Sequence, residues 1–363
     1  MVLSRDNYVS AIAIPPGKTI SDEIKARGRK QVDVAERLGT TEKNLIDLIK
    51  GDISLTRDMA IKLEYVFGVS AGSWLNLEQG YQLSLAKIHQ EQLALQETAF
   101  FKQIKKFLTV PIQLGLLSLT DKTLQESVHE LKIFFSRATL LSESVTNQTV
   151  CVFRKSVIHD IKPEGVAIFT RTGEILADRQ QIGEFQKSTI KQLIQDLKPF
   201  MKQETIHHED IQQICNTYGI YYIYTPYFAG LPVSALSRYY NKNPLIHITD
   251  RGNRLDIFWF NLLHELGHIA KGHVTKKESM LDIEKPAEEY KNTPEELEAN
   301  EFASVTIISK SDYQQLQKKI NHTTVMQYAK RLSLHPSLIY GRLCRDGTLT
   351  HKEMSNFAVK LHR

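Results

Sequence analysis

Apolar residues recur at helical spacing in short runs over the first eighty positions, and glycines close most of the runs. Ile20 and Ile24 mark one face of a helix over 20–26. Val34, Ala35 and Leu38 mark a second over 31–38, stopped by Gly39. Thr41 caps a third, 42–49, before Gly51; a fourth, 55–67, ends at Gly68; a fifth starts after Ser70 and holds Trp74, Leu75 and Leu77. Five short helices with a tight turn between the second and third form the pattern of a helix-turn-helix domain, and also of other small helical bundles. The stretch 88–111 predicts a connector helix ended by Pro111, and 120–135 another, with Leu124, Val128, Leu131 and Phe135 inward. The pattern then mixes. Short strand-like runs fall at 150–153 and 165–169, an amphipathic helix at 189–200, a helix at 211–219, and strands at 219–227 and 244–250. A helix over 254–271 is apolar nearly all round and so predicts burial. Helices follow at 294–308, 310–320 and 323–332, and 357–363 is expected to fray.

Length and composition narrow this. The chain has 363 residues, enough for two or three domains, with 42% hydrophobic and 24% charged residues, an ordinary globular balance. The net charge of +5 neither demands nor excludes a nucleic-acid partner, and residues 1–80 balance eleven Lys/Arg against eleven Asp/Glu. Lys102, Lys105 and Lys106 read as a solvated face. Cys151, Cys215 and Cys344 show no pairing rhythm, which fits reduced thiols in a cytoplasmic protein. No secretion signal and no eighteen-residue apolar span stand out, so no membrane association is expected.

The candidate chemistry lies in the buried helix. His264-Glu265-x-x-His268 puts two imidazoles four residues apart on one face, where both can reach one ion. Glu265, one position round, is placed to reach a metal-bound water. Asn253 and Asp256 form a plausible capping pair for this helix and Gly272 stops it. Gly267 costs helix propensity, which predicts close approach by another element. A third ligand is expected from PEELEANEFAS, where Thr293 and Pro294 open a helix. Glu296 shares a face with Asn300, which could steady a ligand histidine from behind; Glu298 is the rival ligand. His207-His208-Glu209-Asp210 reads as the acidic start of a helix rather than as a second metal site.

PPGKTISDEIKARG, QVDVAERLG and GVSAGSWLNLEQGYQLSLAK resemble the helix-turn-helix of HigA-type antitoxins over 12–90. The resemblance implies an all-α domain over 1–90, a homodimer, and binding to double-stranded DNA at its own operator through Gln31, Thr41, Lys43, Asn44 and Lys50. Ile46 stands where that family has a small polar residue, and Glu42 and Asp47 bring negative charge towards the phosphates. Arg27, Arg29, Lys30, Lys43 and Lys50 can still form a basic edge. The alternative is a domain kept for protein contacts or dimerisation.

DIFWFNLLHELGHIAKGH with EELEANEFA resembles the ImmA/IrrE family of zinc metallopeptidases over 145–310. That implies a multidomain chain: the all-α helix-turn-helix domain, a helical connector over 91–144, an α+β zincin-like metallopeptidase domain, and a C-terminal helical extension over 311–363. It implies Zn2+ held by His264, His268 and Glu296, with Glu265 as general base. His273 then serves catalysis, supports a ligand, or is a surface residue. Residues 221–250 would line the substrate cleft, with Arg238 and Tyr239 in a connection. Three functions stay open. One is a DNA-binding regulator that cleaves one protein partner, such as a repressor. Another is an antitoxin or repressor with a non-catalytic or sensory metal site that neutralises a toxin by binding. The third is a toxin-binding protein that touches neither DNA nor peptide bonds. Retention of Glu265 favours the first.

Overall fold

Residues 13–141, 145, 162–275, 279–283, 293–350, 352–353 and 357–361 are described by the structure, a computed structural model. The chain divides into two units, Met1–Glu97 and Thr98–Arg363.

The first unit is helical: α1 (Pro16–Ala26), α2 (Gln31–Arg37), α3 (Glu42–Lys50), α4 (Arg57–Phe67) and the part of α5 (Ala71–Ile104) up to Glu97. Local chemistry sets the ends. The Thr41 and Thr56 hydroxyls accept from the backbone N–H groups of Asn44 and Met59, and Gly51 and Gly68 close α3 and α4 in the left-handed region. At Gly17 a Cβ would stand 2.3 Å from the carbonyl oxygens of Leu48 and Ile49. Only glycine therefore lets α1 lie backbone-to-backbone against the end of α3. The core is Ile20, Val34, Leu38, Leu45, Leu63, Phe67 and Trp74, each worth about 1.5–3 kcal/mol when buried. A separate fifth helix and connector were expected, but α5 is continuous. Gly80 lies in open space, and one glycine, costing about 1 kcal/mol, does not break a helix. Pro111 sits inside the short helix α6 (Thr109–Gln113).

The second unit adds α7 (Leu124–Phe135), opened by a Thr123–Glu126 capping box. The strand-like run at 165–169 belongs instead to helix α8 (Pro163–Ala177). Gly165 to Thr170 are all buried, so alternation carried no signal, while Pro163 at the first turn favours a helix. The run at 150–153 lies outside the described residues. Next come α9 (Ile190–Leu197), α10 (His208–Thr217) and strands β1 (Tyr221–Thr225), β2 (Val233–Tyr240) and β3 (Asn243–Thr249). Then follow α11 (Leu255–Lys271) and strand β4 (Met280–Ile283). Helices α12 (Pro294–Ile307), α13 (Lys310–Gln317), α14 (His322–Leu332) and α15 (Pro336–Arg345) complete the unit.

The sheet order is β1-β3-β2-β4, with β1 parallel to β3 and the other pairs antiparallel. Arg238 and Tyr239 were expected in a connection but lie on β2; its last three residues are only half-buried, which hid the strand. Strand β3 is buried on both faces. One face packs Ile246 and Ile248 with Leu255, Trp259 and Leu262 of α11. On the other, Phe169 of α8 stacks on His247. The all-α unit and this α+β unit agree with the expected fold class. Residues 357–361 are not frayed: the Leu255 N–H donates to Val359 O at 3.0 Å, and Leu361 N–H to Asn253 O at 3.2 Å.

Candidate metal centre

Helix α11 follows Arg254, an extended residue whose side chain pairs with Asp256 at 2.7 and 3.0 Å. The expected Asn253 cap does not form, because Asn253 is spent in a left-handed turn (φ 44°). Gly272 ends the helix as expected. At Gly267 a Cβ would meet Ala299 Cα and O at 3.2 Å and Phe302 Cδ1 at 3.1 Å. This glycine lets α12 approach closely enough to carry Glu296 to the two histidines.

His264, His268 and Glu296 are buried and offer ligand atoms within 4.8 Å of one another. The two Nε2 atoms stand 2.9 Å apart, and each lies 3.4 Å from a different Glu296 oxygen. Ligands about 2.1 Å from one tetrahedral ion stand roughly 3.4 Å apart, so the triangle has the size a zinc-like cation needs. The tautomers agree. His264 Nδ1 faces Asn300 Oδ1 at 3.2 Å, an acceptor, so the proton belongs on Nδ1 and the Nε2 lone pair faces the cluster. His268 Nδ1 meets His273 Nδ1 at 3.1 Å, and His273 Nε2 meets Glu298 Oε2 at 3.3 Å. A proton on His268 Nδ1 and one on His273 Nε2 satisfy that chain down to the Glu298 carboxylate. Both Nε2 lone pairs then face each other beside an ionised carboxylate, an arrangement that a cation would stabilise.

Electrostatics point the same way. Burial drives His268 down to about 4, against the pull of Glu296, so it is neutral near pH 7. Burial works to raise Glu296, but the His264 and His268 imidazoles turned towards it outweigh that and hold the carboxyl well below the usual range. Of the two rival glutamates, Glu296 meets the histidines and Glu298 meets His273 and, at 3.9 Å, Lys271. Glu265 is fully buried. Among the described residues His208 joins no metal-ligand cluster: its ring stacks on Tyr224 at 3.5 Å and its Nδ1 meets Tyr222 OH at 2.8 Å. Sequence reasoning missed the guanidinium of Arg345, which lies over the Phe260 ring, itself 6.0 Å from His264. Arg345 is far along the chain from the motif, and nothing local signals the contact.

Over 76 residues the chain is 30% identical to virulence-associated protein I of Dichelobacter nodosus, spanning 21% of this chain and 70% of that protein. The chain belongs to that protein's family. Residues 215–343 match the model Peptidase_M78, the IrrE N-terminal-like domain. This IrrE-like domain holds the whole cluster. Solved structures align over about a quarter of the chain. An antidote protein of a plasmid maintenance system from Nostoc punctiforme is 34% identical, covering 22% of this chain and 88% of its own, with TM-score 0.21. Antitoxin HigA of Pseudomonas aeruginosa with the higBA promoter is 27% identical (22% and 89%, TM-score 0.22). A HigA-family addiction module antidote from Coxiella burnetii is 24% identical (27% and 96%, TM-score 0.21). At such scores the likeness carries no weight of its own.

Outside the IrrE-like domain, the N-terminal unit places the other expected site residues. On α3, Lys43, Asn44 and Lys50 are exposed, as is Thr41 at its cap; Gln31 opens α2 half-buried. Ile46 and Asp47 are half-buried, so the outward surface of α3 is polar despite Ile46. Arg27 and Arg29 donate to the carbonyls of Phe67 and Val66 while Arg27 stays exposed and Arg29 half-buried. No helix among the described residues is long and apolar enough to cross a membrane.

Proposed function

We propose that the chain is a DNA-binding regulator of antitoxin type carrying a zinc endopeptidase that hydrolyses a peptide bond in one specific protein partner. The observation that carries the peptidase half is the convergence of His264, His268 and Glu296, with Asn300 and His273 held against the two Nδ1 atoms. When bound, zinc supplies a Lewis acid that activates water and polarises the scissile carbonyl. The chain's residues do the rest. Asn300 and His273 fix the ring orientations of His264 and His268. The Glu265 carboxylate takes the proton of the attacking water and delivers it to the leaving amine nitrogen. His273, joined to His268 and Glu298, keeps that side of the site ordered. At the other end of the chain, Gln31, Thr41, Lys43, Asn44 and Lys50 contact operator DNA, the protein acting as a homodimer in the cytoplasm.

A second reading keeps the same cluster as a non-catalytic or sensory metal site in an antitoxin that neutralises its toxin by binding. It is favoured by the histidine–carboxylate chain, which would orient ligands equally well without turnover. Metal analysis of purified protein beside Glu265→Gln separates the two. Equal zinc content with loss of cleavage of a candidate repressor or toxin is the outcome expected for the peptidase. Wild-type protein that takes up no zinc would sink both metal readings. Retardation of the protein's own promoter DNA across a salt series tests the N-terminal half, and failure to bind at low salt would overturn it.

A further inference from the structure

A groove of about 480 Å³ runs between α9, the last turn of α11 and α12. Its floor is apolar: Ile190 and Ile194 from α9, Ala270 from α11, Phe302 and Val305 from α12. Its rim is cationic, with Lys187, Lys191 and Lys198, and no carboxylate lines it. Among the described residues none of these lysines forms an ion pair. Two acids of α12 pair elsewhere, Glu298 with Lys271 and His273 and Glu301 with Lys310. The groove shares residues with the metal centre's frame. Phe302, part of its floor, packs on Gly267 between the two ligand histidines, and Lys187 Nζ lies 3.2 Å from where Gly272 would carry a Cβ, one residue before His273.

We propose that this groove is a docking site for an acidic amphipathic segment of the protein substrate, held at a distance from the bond to be cut. The occupant follows from charge and shape. Three cations that pair with no carboxylate among the described residues select a negatively charged partner. An apolar floor selects leucine-like or aromatic side chains, which a nucleic-acid backbone does not offer. The proposal rests on the peptidase reading for its biological use, but binding itself needs neither zinc nor Glu265. It would let one partner be chosen by a surface other than the scissile sequence.

The test uses full-length protein carrying Glu265→Gln, so that the probe stays intact. The probe is a fluorescein-labelled peptide with Glu and Asp on one helical face and Leu and Phe on the other, read by anisotropy. Binding is expected to weaken with salt and to fall about tenfold or more in a Lys187→Glu, Lys191→Glu, Lys198→Glu variant. A smaller loss is expected in Val305→Ser. Lys187, Lys191 and Val305 are exposed and Lys198 is half-buried, and circular dichroism checks that each variant is folded. Unchanged binding after charge reversal overturns the proposal, as does equal binding of a scrambled peptide of the same composition, or of short duplex DNA at the same site. Binding lost on reversal but insensitive to EDTA supports the groove, and it stands even if no partner is ever cleaved.

Discussion

Two buried imidazole sites lie on different elements of the second unit, and they look alike until their neighbours are named. His268 and His247 are both almost wholly buried and both held neutral, at about 4 and about 3, chiefly by desolvation. Each sits against a helical glycine that can carry no side chain: Gly267 under Ala299, and Gly173, where a Cβ would be 2.7 Å from His247 Nδ1. They part at the lone pairs. His268 Nε2 faces a second imidazole and a carboxylate, whereas His247 Nε2 meets the Thr225 hydroxyl at 2.9 Å and its ring stacks on Phe169 at 3.9 Å. Burial and neutrality alone do not make a ligand; convergence with an ionised group does.

The largest expected effect tests that distinction. Glu296→Ala should abolish zinc retention through gel filtration, while His247→Leu leaves it untouched, as read by elemental analysis. If the first variant keeps its zinc and the second loses it, the comparison is wrong. Asn300→Ala should keep the ligands but weaken zinc by roughly 10–100-fold in a chelator competition, because His264 loses the acceptor that holds its Nδ1 proton. Next come the glycines. Gly267→Ala should destabilise the fold by about 1–3 kcal/mol in urea unfolding, despite the better helix propensity of alanine, since the obstructing atoms include Ala299 backbone. It should also weaken zinc, whereas Gly173→Ala should cost stability without touching zinc.

Over the pH window open to measurement, the smallest effect is that of pH. His247 titrates near 3 folded and near its ordinary 6.5 unfolded, so the unfolded chain binds the extra proton first. Its contribution is complete above pH 6.5 and is lost as pH falls from there towards 3, by about 1.4 kcal/mol per unit. His247→Leu should therefore flatten the acid limb of stability measured between pH 7 and 5.5. A limb of unchanged slope would remove His247 from the account.

How much of this could be read from the residues alone depends on the range of the signal. The caps of α3, the stop at Gly272 and the meaning of Gly267 are local chemistry, and they came through. Glu296 was preferred to Glu298 for the helix face it shares with Asn300 and for the family resemblance, with Glu298 left as the rival. Geometry separates them, because Gly267 lets α12 slide in until Glu296 reaches both imidazoles while Glu298 meets His273. Helix α8 was misread because Gly165 to Thr170 are buried on every side, so periodicity vanished. Strand β2 hid behind half-exposed aromatics, and the turn at Asn253 took away an expected cap.

The backbone bonds from Leu255 to Val359 and from Leu361 to Asn253 also set an order of assembly. On the ribosome the chain emerges at about 5–20 residues per second, N-terminal parts first. The ligand-bearing helix α11 is thus complete in sequence well before residues 357–361, which steady its first turn, have been made. The N-terminal unit can fold while the His264, His268 and Glu296 cluster still waits for its far strap, so the two units reach their final form in chain order.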